Sequence, residues 1–314
     1  MFTVVGMTLT FGIYAGGLAG DGNGFVTPGP PEDPDRIAAA LDELKPHLVR
    51  AYVHYSDQDP GGAEAPPDPW RYRPLDLVVC FREPGDDLTG WLDYLRGLVR
   101  EHGEDLVSLQ VAEEANHAGP GGDGGFARVR DAMVTGVLAV RDEARRLGLP
   151  VAVGVNSTPI LDPEQEFWTD LGRRGGGEFV EALDYVGFDF FPDLVRPIPQ
   201  PALADAVTGV LTAFRERSLA AAGIPHSVPI HVTEHGWGTG PRRPYERQVE
   251  VLDTVVRTVD RLGKALNIAA YEHFALRDAD SANPDPFYQL GLLRSDYTPK
   301  PAFEAYRNLI AELG

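Results

Sequence analysis

Residues 75–112 contain the pattern that decides the fold: LDLVVCF at 75–81, DLTGWLDYLRGLVREH at 87–102 and LVSLQVA at 106–112. The first and third segments are short β-rich runs, and the middle segment has the pattern of a helix. A strand, a helix and a second strand in this order predict a βαβ unit, in which the two strands are parallel.

The same alternation extends through the chain of 314 residues. Eight strands are predicted, at residues 8–14, 48–54, 75–81, 106–112, 151–156, 184–190, 229–233 and 268–274. Eight strands with helices between them favour an α/β fold, a closed (β/α)8 TIM barrel, over a doubly wound sheet. No strand runs into the G-x-G-x-x-G turn that a dinucleotide-binding fold requires. We expect one barrel domain over residues 1–314, since no linker or internal repeat divides the chain.

Some segments depart from this regular pattern. Residues 55–74 are rich in Pro, Gly and Asp, so the second βα unit is expected to be irregular. The glycine-rich stretches 16–24, 119–125 and 175–177 are expected to lie in loops, and a helix is predicted only over 179–183 after the third stretch. The first two stretches follow strands, at the end of the barrel where active sites form.

Composition restricts the class of partner. The chain carries 28 basic and 47 acidic side chains, a formal net charge of −19. This excess argues against binding of nucleic acid, anionic membranes or polyanionic substrates, because neutralising phosphates requires clustered Lys and Arg. Cys80 is the only cysteine, so neither an intrachain disulfide nor a cysteine-based metal site is possible.

Targeting signals are not recognisable in the sequence. The N-terminus lacks the pattern of a signal peptide, and no run of about 18 apolar residues occurs. These features favour a cytoplasmic protein, or a secreted one if a leader has been removed. The oligomeric state is not predicted.

Acidic residues follow two of the predicted strands. On the fourth strand, period-two alternation turns Gln110 and Glu114 towards the barrel interior and Glu113 away from it. On the seventh, residues 229–238 read PIHVTEHGWG, and alternation turns Glu234 outwards. An inward Glu234 therefore requires a β-bulge or a strand that ends before it.

These segments resemble glycoside hydrolase clan A, the retaining (β/α)8 glycosidases. The Asn-Glu-Pro-Asn signature of the clan falls on residues 113–116, EEAN, and its Ile-Thr-Glu-x-Gly-Trp sequence falls on residues 232–237, VTEHGW. Residues 287–303 are similar to the last loop and helix of the clan. The resemblance covers essentially the whole chain and implies that Glu114 is the acid/base and Glu234 the nucleophile. Assignment of the acid/base to Glu113 stays open.

The resemblance also implies which residues bind the sugar. Arg50, on the second strand, matches the arginine near the nucleophile, whose charge is expected to lower the pKa of that carboxyl. An inward Arg50 could equally pair with a structural Asp. The candidate substrate-binding residues are Arg50, Glu113, Asn116, Asp189, Trp237, Phe274 and Tyr14. Among them, the aromatic faces of Trp237 and Phe274 suit the apolar side of a pyranose.

A few positions depart from the clan pattern. Glu113 stands where the clan has the Asn that binds the sugar 2-OH. On the sixth strand Asp189 takes the polar place, and Phe191 lacks the hydroxyl of a tyrosine that is common there. Phe274 stands where the clan has a tryptophan under the sugar. These changes affect the expected sugar site and not the expected fold.

The clan resemblance, together with the placement of the two acids, implies a retaining glycoside hydrolase that cleaves a neutral, β-linked glycoside through a glycosyl-enzyme, with two carboxyls about 5–5.5 Å apart. No metal or cofactor is predicted. His54, His117, His235 and His273 lie near strand ends but form no zinc-binding motif. The alternatives are a protein of the same fold with lyase or cyclase chemistry in secondary metabolism, and a carbohydrate-binding protein that has lost catalysis.

Overall fold

The computed structural model describes residues 8–17, 19–21, 24–26, 29–55, 71, 73–119 and 121–314. Eight parallel strands close into a barrel in chain order. They are β1 (Thr10–Tyr14), β4 (Leu48–Tyr55), β5 (Leu75–Phe81), β6 (Leu106–Val111), β7 (Ala152–Ser157), β8 (Tyr185–Asp189), β9 (Ile230–His235) and β10 (Ile268–His273). The short strands β2 (Ala19–Asp21) and β3 (Gly24–Val26) pair antiparallel after β1. The predicted (β/α)8 barrel is therefore confirmed.

Helices cover the outside of the barrel. They are α1 (Pro34–Leu44), α2 (Leu88–His102), α3 (Val129–Leu147), α4 (Glu166–Ala182), α5 (Gln200–Ala213), α6 (Tyr245–Leu266) and α7 (Pro301–Leu313). A π-helix (Phe214–Leu219) follows α5, and a 3-10 turn (Pro286–Tyr288) follows β10. Within the described ranges, no helix is both long enough and apolar enough to cross a bilayer.

Helix α2 illustrates why these sequences form the outer layer. The Asp87 side chain caps the helix by accepting a hydrogen bond from the backbone N–H of Gly90. Trp91, Leu95 and Val99 recur at a spacing of four residues and are fully buried. This apolar stripe packs the helix against the barrel and leaves its charged residues at the surface.

The structure corrects the helix that was predicted over residues 179–183. Helix α4 runs from Glu166 to Ala182, with a kink at Gly176, where φ is +56°. Glycine adopts this left-handed conformation without a steric penalty, so the glycine triplet bends the helix and does not form the predicted loop. The irregular segment predicted at 55–74 lies mostly outside the described residues, which resume at residue 71 and then at 73.

Candidate active site

Glu234 reaches the barrel interior through a β-bulge in β9. Beside β8, Phe188 pairs with Val232 whereas Asp189 pairs with Glu234, so β9 has one extra residue. The same extra residue appears opposite β10. A bulge resets the alternation, and Glu234 consequently accepts a hydrogen bond from the hydroxyl of Tyr52 inside the barrel. Strict alternation would turn Glu234 outwards, and the β-bulge that an inward Glu234 requires is present in β9.

Glu113 also points into the barrel. Strand β6 ends at Val111, and the next residues turn sharply, with positive φ at Ala112 (64°) and Glu114 (40°). Period-two alternation therefore stops before Glu113, and the expectation that this residue faces outwards is wrong. Its carboxylate is 3% exposed and accepts a hydrogen bond from Gln110 Nε2 at 2.7 Å.

Four carboxylates meet at the mouth of the barrel. One oxygen from each of Glu113, Glu114, Asp189 and Glu234 lies within 4.8 Å of an oxygen from every other member. We call this group the acid cluster. One oxygen of Glu114 thus lies within 4.8 Å of one oxygen of Glu234, which is compatible with the short spacing of a retaining pair, about 5–5.5 Å between carboxyl groups.

Arg50 lies beneath the acid cluster and is almost completely buried (1% exposed). Its Nη1 is 2.5 Å from Asp76 Oδ2, and its Nη2 donates to Gln110 Oε1 at 2.8 Å. Its Nε donates to the hydroxyl oxygen of Tyr52 at 2.8 Å. Arg50 thus pairs with a buried Asp, as one of the two sequence interpretations expected. Arg50 is also linked to Glu234 through Tyr52, whose hydroxyl accepts from Arg50 and donates to the Glu234 carboxylate.

Asn156, at the end of β7, joins three members of the acid cluster. Its Nδ2 donates to Glu113 Oε2 at 3.1 Å and to Asp189 Oδ2. Its Oδ1 accepts from the backbone N–H of Glu114 at 2.8 Å. Asp189 also accepts a hydrogen bond from Thr233 Oγ1 at 2.5 Å.

Sequence reasoning missed Tyr52 and Asn156. Both face the barrel interior: Asn156 lies near the carboxyl end of β7, and Tyr52 lies in the carboxyl half of β4, two residues after Arg50. Period-two alternation continued to those strand ends would have found them. Phe191 has no hydroxyl, and Tyr52 on β4 provides one to Glu234.

Burial controls the protonation of the acid cluster. Burial raises the pKa of the Glu234 carboxyl to about 8, and Asp189 adds to this rise, while Arg50 and the Tyr52 hydroxyl lower it. The contribution of Arg50 has the expected sign but is smaller than that of burial. Burial also raises the pKa of Glu114 well above its usual range, with Asp189 and Glu113 next in importance. Neither Arg50 nor Tyr52 is among the main influences on the pKa of Glu114. The protonated form is therefore favoured more at Glu114 than at Glu234, whose pKa both residues lower.

Phe274 and Tyr14 form an aromatic wall beside Tyr52. Their rings stack with centroids 4.8 Å apart and an interplanar angle of 17°. Tyr52 meets Tyr14 edge-on at 5.1 Å and Phe274 at 6.4 Å. Both predicted residues are therefore adjacent to the residue that binds Glu234.

Trp237 and Asn116 have other partners. The indole Nε1 of Trp237 donates to Asp193 Oδ2 at 3.0 Å, and the Arg243 guanidinium lies 3.9 Å from the centre of its ring. Asn116 donates to Thr158 Oγ1 at 2.8 Å and accepts from the Thr158 backbone N–H at 3.0 Å. The contacts of Asn116 join the loops after β6 and β7. Those of Trp237 reach Asp193 in the loop after β8 and Arg243 in its own loop after β9.

The acid cluster is also the group that could hold a metal ion. Carboxylate oxygens are the ligands that Mg²⁺, Ca²⁺ and Mn²⁺ prefer. Glu113, Asp189 and Glu234 already accept hydrogen bonds from Gln110, Asn156, Thr233 and Tyr52. A site free of metal and cofactor stays a prediction.

No family model matches the sequence, and no curated protein matches it. The solved structures similar to the chain include glycoside hydrolases and a glucanosyltransferase. A family 39 glycoside hydrolase from the gut symbiont Bacteroides cellulosilyticus WH2 has a TM-score of 0.61 at 15% identity, over 98% of this chain and 64% of that one. A β-glucuronidase from Ruminococcus gnavus in complex with D-glucuronic acid has a TM-score of 0.60 at 11% identity, over 97% of this chain and 49% of that one.

A third similar structure is an active-site mutant of Rhizomucor miehei β-1,3-glucanosyltransferase in complex with laminaritriose. Its TM-score is 0.58 at 15% identity, over 93% of this chain and 96% of that one. At these identities the similarity concerns the fold. The chain has the fold of the glycosidase barrels, as the clan A resemblance implied, and it spans about half to two thirds of the length of the first two structures.

Proposed function

We propose that residues 1–314 form a single catalytic domain, a retaining glycoside hydrolase with Glu234 as nucleophile and Glu114 as acid/base. The observation that supports this most strongly is the approach of these carboxylates to within 4.8 Å at the ends of β6 and β9. Active sites of (β/α)8 enzymes form at this end of the barrel, from residues that follow different strands.

In the first step, the ionised Glu234 carboxylate attacks the anomeric carbon of the sugar. Glu114 donates its proton to the glycosidic oxygen as the bond between that oxygen and the anomeric carbon breaks. The product is a glycosyl-enzyme ester on Glu234. In the second step, Glu114, now ionised, takes a proton from a water molecule, whose oxygen attacks the anomeric carbon and releases Glu234.

The surroundings of the two acids support these opposite roles. Glu234 accepts a hydrogen bond from Tyr52, which is itself bonded to Arg50, and both partners favour the ionised form. The pKa of Glu114 is raised by burial and then by the neighbouring carboxylates, which favours the protonated form that a general acid needs.

The substrate we propose is a neutral, β-linked glycoside. The acid cluster contains four carboxylates, so a uronic acid or another anionic sugar would meet like charge at the reacting centre. Glu113 and Asp189 would contact sugar hydroxyls, and Phe274 with Tyr14 would pack against the ring. Arg50, Asn116 and Trp237 would support the site through their neighbours.

The test is hydrolysis of a panel of aryl β-glycosides by the full chain and by the Glu234→Gln and Glu114→Gln variants. We expect at least one neutral glycoside to be cleaved, with loss of turnover in both variants. A 2-deoxy-2-fluoro glycoside of the cleaved sugar should label Glu234, as mass spectrometry of peptides would detect. Absence of both cleavage and labelling would refute a hydrolase. Sugar binding without turnover would favour the carbohydrate-binding alternative, and bond cleavage without uptake of water would favour a lyase.

A further inference from the structure

Asp123 lies in the glycine-rich loop after β6, and its side chain is completely buried (0% exposed). Its Oδ2 accepts hydrogen bonds from the backbone N–H groups of Phe81 and Glu113, both at 2.7 Å. The backbone N–H of Asp123 donates to the carbonyl oxygen of Glu113, also at 2.7 Å. Asp123 therefore holds Glu113 at both of its peptide groups and ties it to Phe81, the last residue of β5.

The segment that Asp123 holds has an uncommon backbone. Ala112 and Glu114 both have positive φ, although neither is glycine. Such conformations persist where surrounding contacts fix them, and they concentrate at functional sites. The direction in which the Glu114 carboxyl points thus depends on the contacts of its backbone.

Gly122 and Gly124 bring the loop against the backbone of residues 114–117. A Cβ on Gly122 would lie 2.3 Å from the carbonyl oxygen of His117 and 2.8 Å from that of Glu114. A Cβ on Gly124 would lie 2.7 Å from the same His117 oxygen. Only glycine permits this approach, which gives the glycine-rich stretch a physical role.

We propose that Asp123 is a positioning residue, which holds the segment of Glu113 and Glu114 so that the Glu114 carboxyl stays beside Glu234. This inference rests on the proposed function. Asp123 acts through the backbone of Glu113. The negative charge of Asp123 has a second effect, because it raises the pKa of Glu114. Its contribution comes after those of burial and of the other three members of the acid cluster.

The test compares leaving groups. Asp123→Ala leaves two buried N–H groups without their acceptor, so the acid/base should lose its position. A phenyl glycoside needs protonation of its leaving oxygen, whereas a 2,4-dinitrophenyl glycoside does not. We expect kcat/KM of the variant to fall about 100-fold for the phenyl glycoside and little for the dinitrophenyl glycoside. The rate at which a 2,4-dinitrophenyl 2-fluoro glycoside labels Glu234 should stay close to that of the wild type.

The matched control is Asp170→Ala on α4. Asp170 is also buried and binds Arg130 and Arg174, so its loss should lower stability without changing the dependence on leaving group. An equal loss on both substrates in Asp123→Ala, as in the control, would overturn the positioning role while the hydrolase stands. A wild type that cleaves neither substrate would overturn the proposed function, and the positioning role with it.

If the alanine variant does not fold, Asp123→Asn tests whether Asp123 positions Glu114. Its amide oxygen can still accept from both backbone N–H groups, so the leaving-group dependence should resemble that of the wild type. Burial raises the pKa of Asp123 to about 7, although the Arg82 guanidinium, whose Nε lies 3.0 Å from Asp123 Oδ1, lowers it. At higher pH the aspartate is therefore charged and the asparagine is not. Removing this charge should lower the pKa of Glu114 and move the basic limb of the kcat/KM profile to lower pH. An unmoved basic limb would overturn the charge effect, and a leaving-group dependence unlike that of the wild type would overturn the positioning role.

Discussion

Replacement of Tyr52 by Phe removes the only hydroxyl that the described contacts place on Glu234, and it keeps the ring. The Tyr52 hydroxyl donates to Glu234 Oε1 and accepts from Arg50 Nε at 2.8 Å. A hydrogen bond to a charged group contributes about 1.5–3 kcal/mol. If the ionised form of Glu234 loses this amount, its pKa rises, and at pH values below that pKa, where the rate follows the ionised fraction, kcat/KM should fall roughly 10- to 150-fold.

The pH profile gives the sharper measurement. The Tyr52 hydrogen bond lowers the pKa of Glu234, which burial has raised to about 8. Without the hydroxyl this pKa rises further, and because the nucleophile must be ionised, the acid limb of kcat/KM should move to higher pH. The assay is hydrolysis of the best aryl glycoside from about pH 4 to pH 10, together with urea unfolding. Loss of the acceptor for the buried Arg50 Nε should cost about 1–3 kcal/mol of stability.

Tyr306→Phe is the matched control. Tyr306 is fully buried on α7, and its hydroxyl donates to the backbone carbonyl of Gly12 at 2.5 Å. This variant should lose stability without a shift of the acid limb. An acid limb of Tyr52→Phe that stays in place, or moves to lower pH, would refute the reasoning that Tyr52 supports an ionised Glu234.

Three other outcomes are expected. An aryl β-glucuronide should be cleaved roughly 100-fold more slowly than the matching neutral glycoside, because two unit charges about 5 Å apart repel by about 3 kcal/mol at an effective dielectric constant of 20; equal rates would contradict the proposed neutral substrate. Asn156→Ala should lower stability by about 1–3 kcal/mol and reduce kcat at least tenfold, since Glu113, Asp189 and the Glu114 backbone lose a shared hydrogen-bond partner. Urea unfolding measures the first effect and steady-state kinetics the second, and an unchanged kcat would show that Asn156 is dispensable. EDTA should leave activity unchanged, and added Mg²⁺, Ca²⁺ or Mn²⁺ should not raise Tm; a rise in Tm would show that the acid cluster binds a cation.

The barrel could be predicted from the sequence because its strands are marked by local features. Each strand is a short apolar run between turn residues, and the bounds predicted for β5, 75–81, agree with the structure. The same local reasoning failed at α4. Glycines are rare inside helices, but the apolar residues Phe167, Trp168 and Leu171 anchor the first part of this helix, and Gly176 forms a kink that a sequence pattern does not distinguish from a loop.

The positions of the two acids and the inward direction of Glu114 could be predicted, but the orientations of Glu234 and Glu113 could not be obtained from strict alternation. Alternation assumes a regular strand. The bulge in β9 depends on pairing with β8 and β10, which lie far away in the sequence, and the positive φ of Glu114 is held by loop residues such as Asp123. The inward direction of Glu113 follows from the same turn. Tertiary contacts determine these orientations, so local sequence patterns cannot predict them.

Two of the departures from the clan pattern, Glu113 and Asp189, change the protonation of the site more than its shape. Glu113 and Asp189 add two carboxyls, and Asn156 holds both with one amide group. Carboxylates this close cannot all be ionised, so the acid cluster must keep protons at neutral pH. When titrating groups interact this strongly, the measured pKa values belong to the group as a whole. The acid and basic limbs of the pH profile should therefore report the cluster as a whole, and burial together with the neighbouring carboxylates favours the protonated form of Glu114.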